Sequence, residues 1–75
     1  MKSLILGYGK TGQSVKKYLD TMSKEYLIHD DNLDLLKEIN KELVFKESQL
    51  EQVDEIIVSP GIKPDHKLLK EFPEN

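Results

Sequence analysis

Ser3-Leu4-Ile5-Leu6-Gly7-Tyr8-Gly9-Lys10-Thr11-Gly12 runs from a short apolar stretch into three glycines, after which Val15, Leu19 and Met22 recur at helical spacing with Tyr18 beside them. The pattern is strand, tight turn, helix. In Gly7-x-Gly9-x-x-Gly12 the first glycine permits the turn, the second lets backbone approach a pyrophosphate, and the third lets helix and strand pack closely. The helix start then offers free N–H groups and a positive dipole end to an anion, with the Thr11 hydroxyl as a further donor and Lys10 as a counter-charge. The alternative is a glycine turn that is only structural. Asp30, eighteen residues past Gly12, supplies the strand-end acid that such a site needs for a ribose or a base edge. Its other reading is a helix cap, with Asp31 and Asn32 beside it. Gly9-Lys10-Thr11 also resembles the end of an ATPase phosphate loop, but Leu4 stands where that motif needs its first glycine, so ATP hydrolysis is not expected.

Further along, Tyr26-Leu27-Ile28 is a second apolar run ended by His29-Asp30-Asp31-Asn32, and Leu35, Leu36, Ile39 and Leu43 then follow at helical spacing. Val44-Phe45 is a weak third strand. Ser48-Gln49-Leu50-Glu51 fits a capping box at the start of a short helix. Ile56-Ile57-Val58 reads as the clearest buried strand, stopped by Ser59-Pro60-Gly61 because proline cannot continue a ladder. Asp65 is the expected cap of a last helix carrying Leu68, Leu69 and Phe72, before Pro73. Strands that alternate with helices and read as continuously apolar imply an α/β fold, a three-layer Rossmann-like parallel sheet with helices on both faces. Four strands in the order 3-2-1-4 place the change of direction between strands one and four, where ligands bind. The glycine turn and Ser59-Pro60-Gly61 both follow strands flanking that crevice, so the two loops are expected to converge. Whether Ser59-Pro60-Gly61 closes over phosphates or is an ordinary Pro-Gly turn stays open on spacing alone.

The chain has 75 residues, 37% hydrophobic and 33% charged, enough for one domain, residues 1–75, with a thin core. Without cysteine there is neither a disulfide framework nor a thiolate metal site, and two histidines are too few for a histidine-based cluster, so no metal is expected. The same composition suits a cytoplasmic protein. A net charge of −3 with scattered lysines argues against nucleic acid as partner, and the opening apolar run is too short for a signal peptide or membrane span. His29 and His66 read as a strand-end and a helix-start residue rather than catalysts, Tyr8 either stacks on a ligand or covers the turn, and no residue is assigned a catalytic role.

With these residues in place, the sequence resembles the N-terminal domain of the Mur ligase family, of the MurD type that adds D-glutamate to UDP-N-acetylmuramoyl-L-alanine. Gly7-Tyr8-Gly9-Lys10-Thr11-Gly12-Gln13-Ser14 looks like the family's G-x-G-x-[ST]-G-x-S opening, and Ile57-Val58-Ser59-Pro60-Gly61-Ile62 like its more specific V-x-S-P-G-[IV] turn. His66, Leu68 and Leu69 also fit, whereas Lys67 replaces a proline and Asn32 stands where a basic residue is frequent. The resemblance implies a domain that binds the UDP part of the substrate, with Gly7, Gly9, Lys10, Thr11 and Gly12 at the diphosphate. Asp30, Asp31 and Asn32 would then lie at the uridine, and Ser59, Pro60 and Gly61 on the other side. It implies no cofactor here, ATP and Mg²⁺ in a central domain outside these residues, and the remaining ligase domains as partners. The chain then reads as an excised N-terminal fragment, not catalytic alone, of a peptidoglycan-building ligase. The alternative is an NAD- or nucleotide-binding regulatory module resembling the domains that gate potassium transport, where G-Y-G-x-x-G recurs but Ser-Pro-Gly is not usual.

Overall fold

The computed structural model describes residues 2–72. Strand β1 (Lys2–Leu6) leads through the glycine turn into helix α1 (Lys10–Thr21), and strand β2 (Glu25–His29) into the short helix α2 (Leu33–Leu36). Two 3₁₀ segments, Lys41–Leu43 and Glu47–Gln52, precede strand β3 (Glu55–Val58) and the final helix α3 (Lys67–Glu71). The sheet is parallel throughout in the order β2-β1-β3, with Ile5 of β1 opposite Ile28 on one side and Ile57 on the other.

β1 is central, so both of its faces must be covered, and alternate residues serve the two faces. Leu4 and Leu6 join Leu27, Phe45, Val53 and Leu68, while Ile5 joins Leu19, Tyr26, Ile28 and Ile39. Helix α1 lies over the second group through Val15 and Leu19 and α3 over the first through Leu68 and Leu69, which makes the expected three layers. Tyr18 and Met22, 61% and 49% exposed, lie outside the core although they share the helical period. Met22 caps the end of α1, and Ser23 turns the chain away at φ 54°.

Among the described residues three strands form the sheet where four were expected. Val44 makes a single parallel bridge to Ile28 on the outer side of β2, and the Phe45 N–H donates to the Ile28 carbonyl at 2.8 Å. The expected order therefore survives with its outermost member reduced to one bridge, because only two residues separate the 3₁₀ segment ending at Leu43 from Lys46, which starts the next. The long second helix is also absent: α2 stops at Leu36, and Asn40 turns its side chain to the Glu42 N–H and nucleates a 3₁₀ turn instead. Leu36, Ile39 and Leu43 still reach the core from these turns.

Two caps are displaced from their expected positions. The Lys46 N–H donates to Gln49 Oε1 at 2.8 Å, so half of a box forms at Lys46, whose ammonium cannot accept the return bond, and Ser48 is left exposed. α3 is capped by His66, whose Nδ1 accepts from the Leu68 N–H at 3.0 Å, and not by Asp65. Strand β3 is an edge of the sheet with Val58 41% exposed, so its β-branched run covers less than the burial expected of it. Pro73 lies outside the described residues.

Candidate functional site

The turn after β1 is fixed from three sides. Gly7 has φ 103°, a conformation that a side chain at Cα disfavours, and its N–H donates to the His29 carbonyl at 2.8 Å. Its own carbonyl accepts from Ser59 Oγ at 3.1 Å, and the Ser59 N–H donates to the Leu6 carbonyl at 3.0 Å. A Cβ on Gly7 would stand 2.8 Å from Ser59 Cβ, and one on Gly12 would overlap the Gly7 carbonyl oxygen. The first and third glycines thus let β1, α1 and the loop after β3 meet at one carbonyl group. Gly9 differs: a Cβ there meets nothing within 4 Å, and the same holds for Gly61.

Asp30 explains how the turn is held to β2. Its Oδ2 accepts from the Tyr8 N–H at 2.6 Å and its Oδ1 from the Asn32 N–H at 2.8 Å. The carboxylate therefore staples the glycine turn to the end of β2, a backbone role beyond either a ribose contact or a helix cap. Ser59-Pro60-Gly61-Ile62 closes as a β-turn, with the Ile62 N–H on the Ser59 carbonyl at 3.0 Å and proline at the second position that favours it.

These pieces enclose a crevice of about 380 Å³ lined by Gly7, Gly9, Lys10, Thr11, Asp30, Ser59, Pro60, Gly61 and Ile62. Gly7 and Ser59, hydrogen-bonded across 52 positions of sequence, are the two loops expected to converge. Helix α1 opens on the crevice with Gly9 as its N-cap and no side chain accepting from its first turn. The N–H groups there have no partner within the helix, and with the dipole they favour an anion. Lys10 and Thr11 are exposed at the same end, as the sequence places them.

Three of the expected site residues do not line this crevice. Gly12 is buried beneath it and serves packing. Asn32 caps α2, its Oδ1 accepting from the Asp34 N–H at 3.1 Å. Asp31 faces a neighbouring cavity of about 310 Å³ with His29, Phe45, Glu47, His66, Lys67 and Leu68. There Asp31 takes hydrogen bonds from His66 Nε2 at 3.0 and 3.1 Å and from His29 Nε2 at 3.2 Å. The His66 imidazole, with that of His29, holds the Asp31 carboxyl below the usual carboxylate range against a smaller opposing effect of burial. Sequence reasoning separated these three side chains; the signal was that Asp31 follows β2 while His66 follows β3, on neighbouring ends of one parallel sheet.

A family model described as Mur ligase MurD-like, N-terminal domain, matches residues 1–75. The chain belongs to that family. Among its relatives, the UDP-N-acetylmuramoylalanine--D-glutamate ligase of Prochlorococcus marinus (strain MIT 9312) is 30% identical over 89% of this chain and 18% of its own length. Those of Aquifex aeolicus (strain VF5) and Rickettsia prowazekii (strain Madrid E) are each 36% identical, over 95% and 88% of this chain and 15% and 16% of theirs. This MurD-like domain therefore spans less than a fifth of the relatives it matches. No solved structure matches it. Among the described residues no helix is long and apolar enough to cross a membrane.

Proposed function

We propose that this MurD-like domain binds the UDP moiety of UDP-N-acetylmuramoyl-L-alanine, as the N-terminal domain of a cytoplasmic, ATP-dependent ligase that adds D-glutamate in peptidoglycan synthesis. The observation that carries the reading is the crevice in which the open start of α1 faces Ser59-Pro60-Gly61 across Gly9. The diphosphate sits at the first turn of α1, held by backbone N–H groups with the Thr11 hydroxyl and Lys10. Gly9 and Gly61 lack a Cβ where one would project into open space, so phosphate oxygens approach the main chain closely. Asp30 lies at the ribose end, and the uridine follows along the main chain of Asp31 and Asn32. The domain supplies binding and orientation; ATP, Mg²⁺ and the ligation chemistry belong to the rest of the parent chain. The relatives are D-glutamate-adding ligases by name, which favours this reading over an NAD-sensing module.

A chemical-shift titration of the ¹⁵N-labelled chain with UDP, UDP-N-acetylmuramoyl-L-alanine and NAD in parallel tests it. The uridine ligands are expected to move the amides of Gly9, Thr11, Asp30 and Gly61, and Gly9→Val is expected to abolish those shifts while leaving the fold in place. Shifts produced by NAD alone, or uridine shifts that persist in Gly9→Val, overturn the assignment.

A further inference from the structure

The second cavity carries an arrangement that nucleotide binding does not use. We propose that His29 Nε2, Asp31 and His66 Nε2 form a binding site for a single Zn²⁺-class transition-metal ion, distinct from the phosphate crevice. Their ligand atoms lie within 4.8 Å of one another and come from two segments: the end of β2, which gives His29 and Asp31, and the cap of α3, which gives His66. Four ligands placed tetrahedrally around zinc at its usual bond lengths stand about 3.3 Å from each other. Asp31 Oδ1 is 3.1 Å from His66 Nε2 and 3.2 Å from His29 Nε2, so two edges of that tetrahedron, meeting at one carboxylate oxygen, are already at length. The two imidazoles meet edge to face at 74° with centroids 6.1 Å apart, so neither ring stacks over the other and both nitrogens point at one carboxylate.

The donor set selects the ion. Two imidazoles with one carboxylate suit zinc, cobalt or nickel, whereas Mg²⁺ and Ca²⁺ prefer oxygen alone. The imidazole side chains are only 23% and 12% exposed, which limits their freedom, and both line the cavity together with Asp31. Lys67, which lines the same cavity, is paired with Glu47 at 3.0 Å.

One consequence distinguishes this site from a hydrogen-bonded cluster. His66 Nδ1 accepts from the Leu68 N–H, so in the metal-free state the ring proton sits on Nε2. Ligation through Nε2 moves that proton to Nδ1, and the cap on Leu68 is given up. Metal binding and helix capping compete for the same ring.

Titrating the untagged chain with Co²⁺ and Zn²⁺, followed by cobalt absorption and by ¹⁵N spectra of the imidazoles and amides, tests the proposal. One ion per chain is expected, with shifts at both imidazoles and at the Leu68 amide, and no competition from excess Mg²⁺. Affinity should fall at least tenfold in Asp31→Asn, in His29→Gln and in His66→Asn, the last keeping a good capping side chain on α3. Absence of saturable binding, unchanged affinity in all three variants, displacement by Mg²⁺, or binding that leaves the Leu68 amide in place overturns it. No readout involves a nucleotide, so the outcome is independent of the function proposed above.

Discussion

Replacing Gly12 by alanine is the sharpest test of how the glycine turn is built. In a helix interior that change ordinarily gains about 1 kcal/mol of helix propensity, an upper bound for Gly12 in the first turn of α1. Here the new methyl would overlap the Gly7 carbonyl oxygen, stand 2.9 Å from the Gly7 carbonyl carbon and lie 3.4 Å from Ile5 Cγ2. Neither partner can yield easily, because the Gly7 carbonyl is held by Ser59 Oγ and Ile5 is fully buried in the central strand. Helix α1 must therefore withdraw from β1 by on the order of 1 Å, a gap that already forfeits a quarter to a half of each dispersion contact across it. Val15 and Leu19 lose contact with the sheet, and the net cost after the propensity gain is about 2–3 kcal/mol. A domain of this size has roughly 4–11 kcal/mol in total. The expected fall in melting temperature, followed by circular dichroism, is about 10–20 °C. Gly9→Ala is the control: its Cβ meets nothing, and the loss of a glycine N-cap costs under about 1 kcal/mol. A Gly12→Ala chain that melts within about 4 °C of the parent refutes the close-approach argument.

Asp30→Ala leaves the Tyr8 and Asn32 N–H groups without their acceptor and should cost about 2 kcal/mol in chemical denaturation, with Asp30→Asn, which keeps one carbonyl oxygen, in between; equal losses in the two variants would show that the two bonds do not act as a staple. The Tyr26 hydroxyl, and then Lys16, hold the Asp20 carboxyl below its ordinary range, so its contribution is complete above the unfolded-chain value of about 3.9 and disappears as pH falls through the lower folded value. Burial, followed by the Asp20 bond, raises the Tyr26 hydroxyl, so its contribution is complete below about 10 and is lost as pH climbs through the folded value. Melting curves from pH 2 to 11 should show the acid flank flattened in Asp20→Asn and the alkaline flank reduced only in part, because burial, the larger cause at Tyr26, remains; an unchanged profile would refute the coupling.

The strand-turn-helix opening and the Ser59-Pro60-Gly61 turn were legible in sequence because their causes are local. A left-handed residue, a close approach and a proline stop are each written in one or two side chains, and the parallel sheet then carries them to a common end. The order of the sheet was legible too, from the alternation of apolar runs with helical patterns. What periodicity overstated was regularity. Leu35, Leu36, Ile39 and Leu43 carry helical spacing, and three of them do reach the core, but the helix ends at Leu36 and Asn40 Oδ1 accepts from the Glu42 N–H, opening a 3₁₀ turn instead. The expected order already put Ile56-Ile57-Val58 at the rim; its burial was overstated because three β-branched residues read alike in the middle of a sheet and at its edge. The histidine cluster was hidden for a different reason: Asp31 and His66, 35 positions apart, meet only after three parallel strands have aligned their ends. The backbone role of Asp30 was missed because an acid at a strand end reads first as a ligand contact.

The single carbonyl shared by Gly7, Gly12 and Ser59 also determines what a saturation mutagenesis of this domain can reveal. Substitutions at those three positions strike the architecture and the ligand crevice together, so a screen for lost binding will return them mixed with ordinary folding defects. Gly9 and Gly61, whose added side chains meet no neighbour, are glycines where recognition can be damaged while abundance in the cell is retained. A map of binding scores divided by abundance scores would be nearly silent at Gly7, Gly12 and Ser59 and bright at Gly9 and Gly61, with the exposed Lys10 and Thr11 beside them.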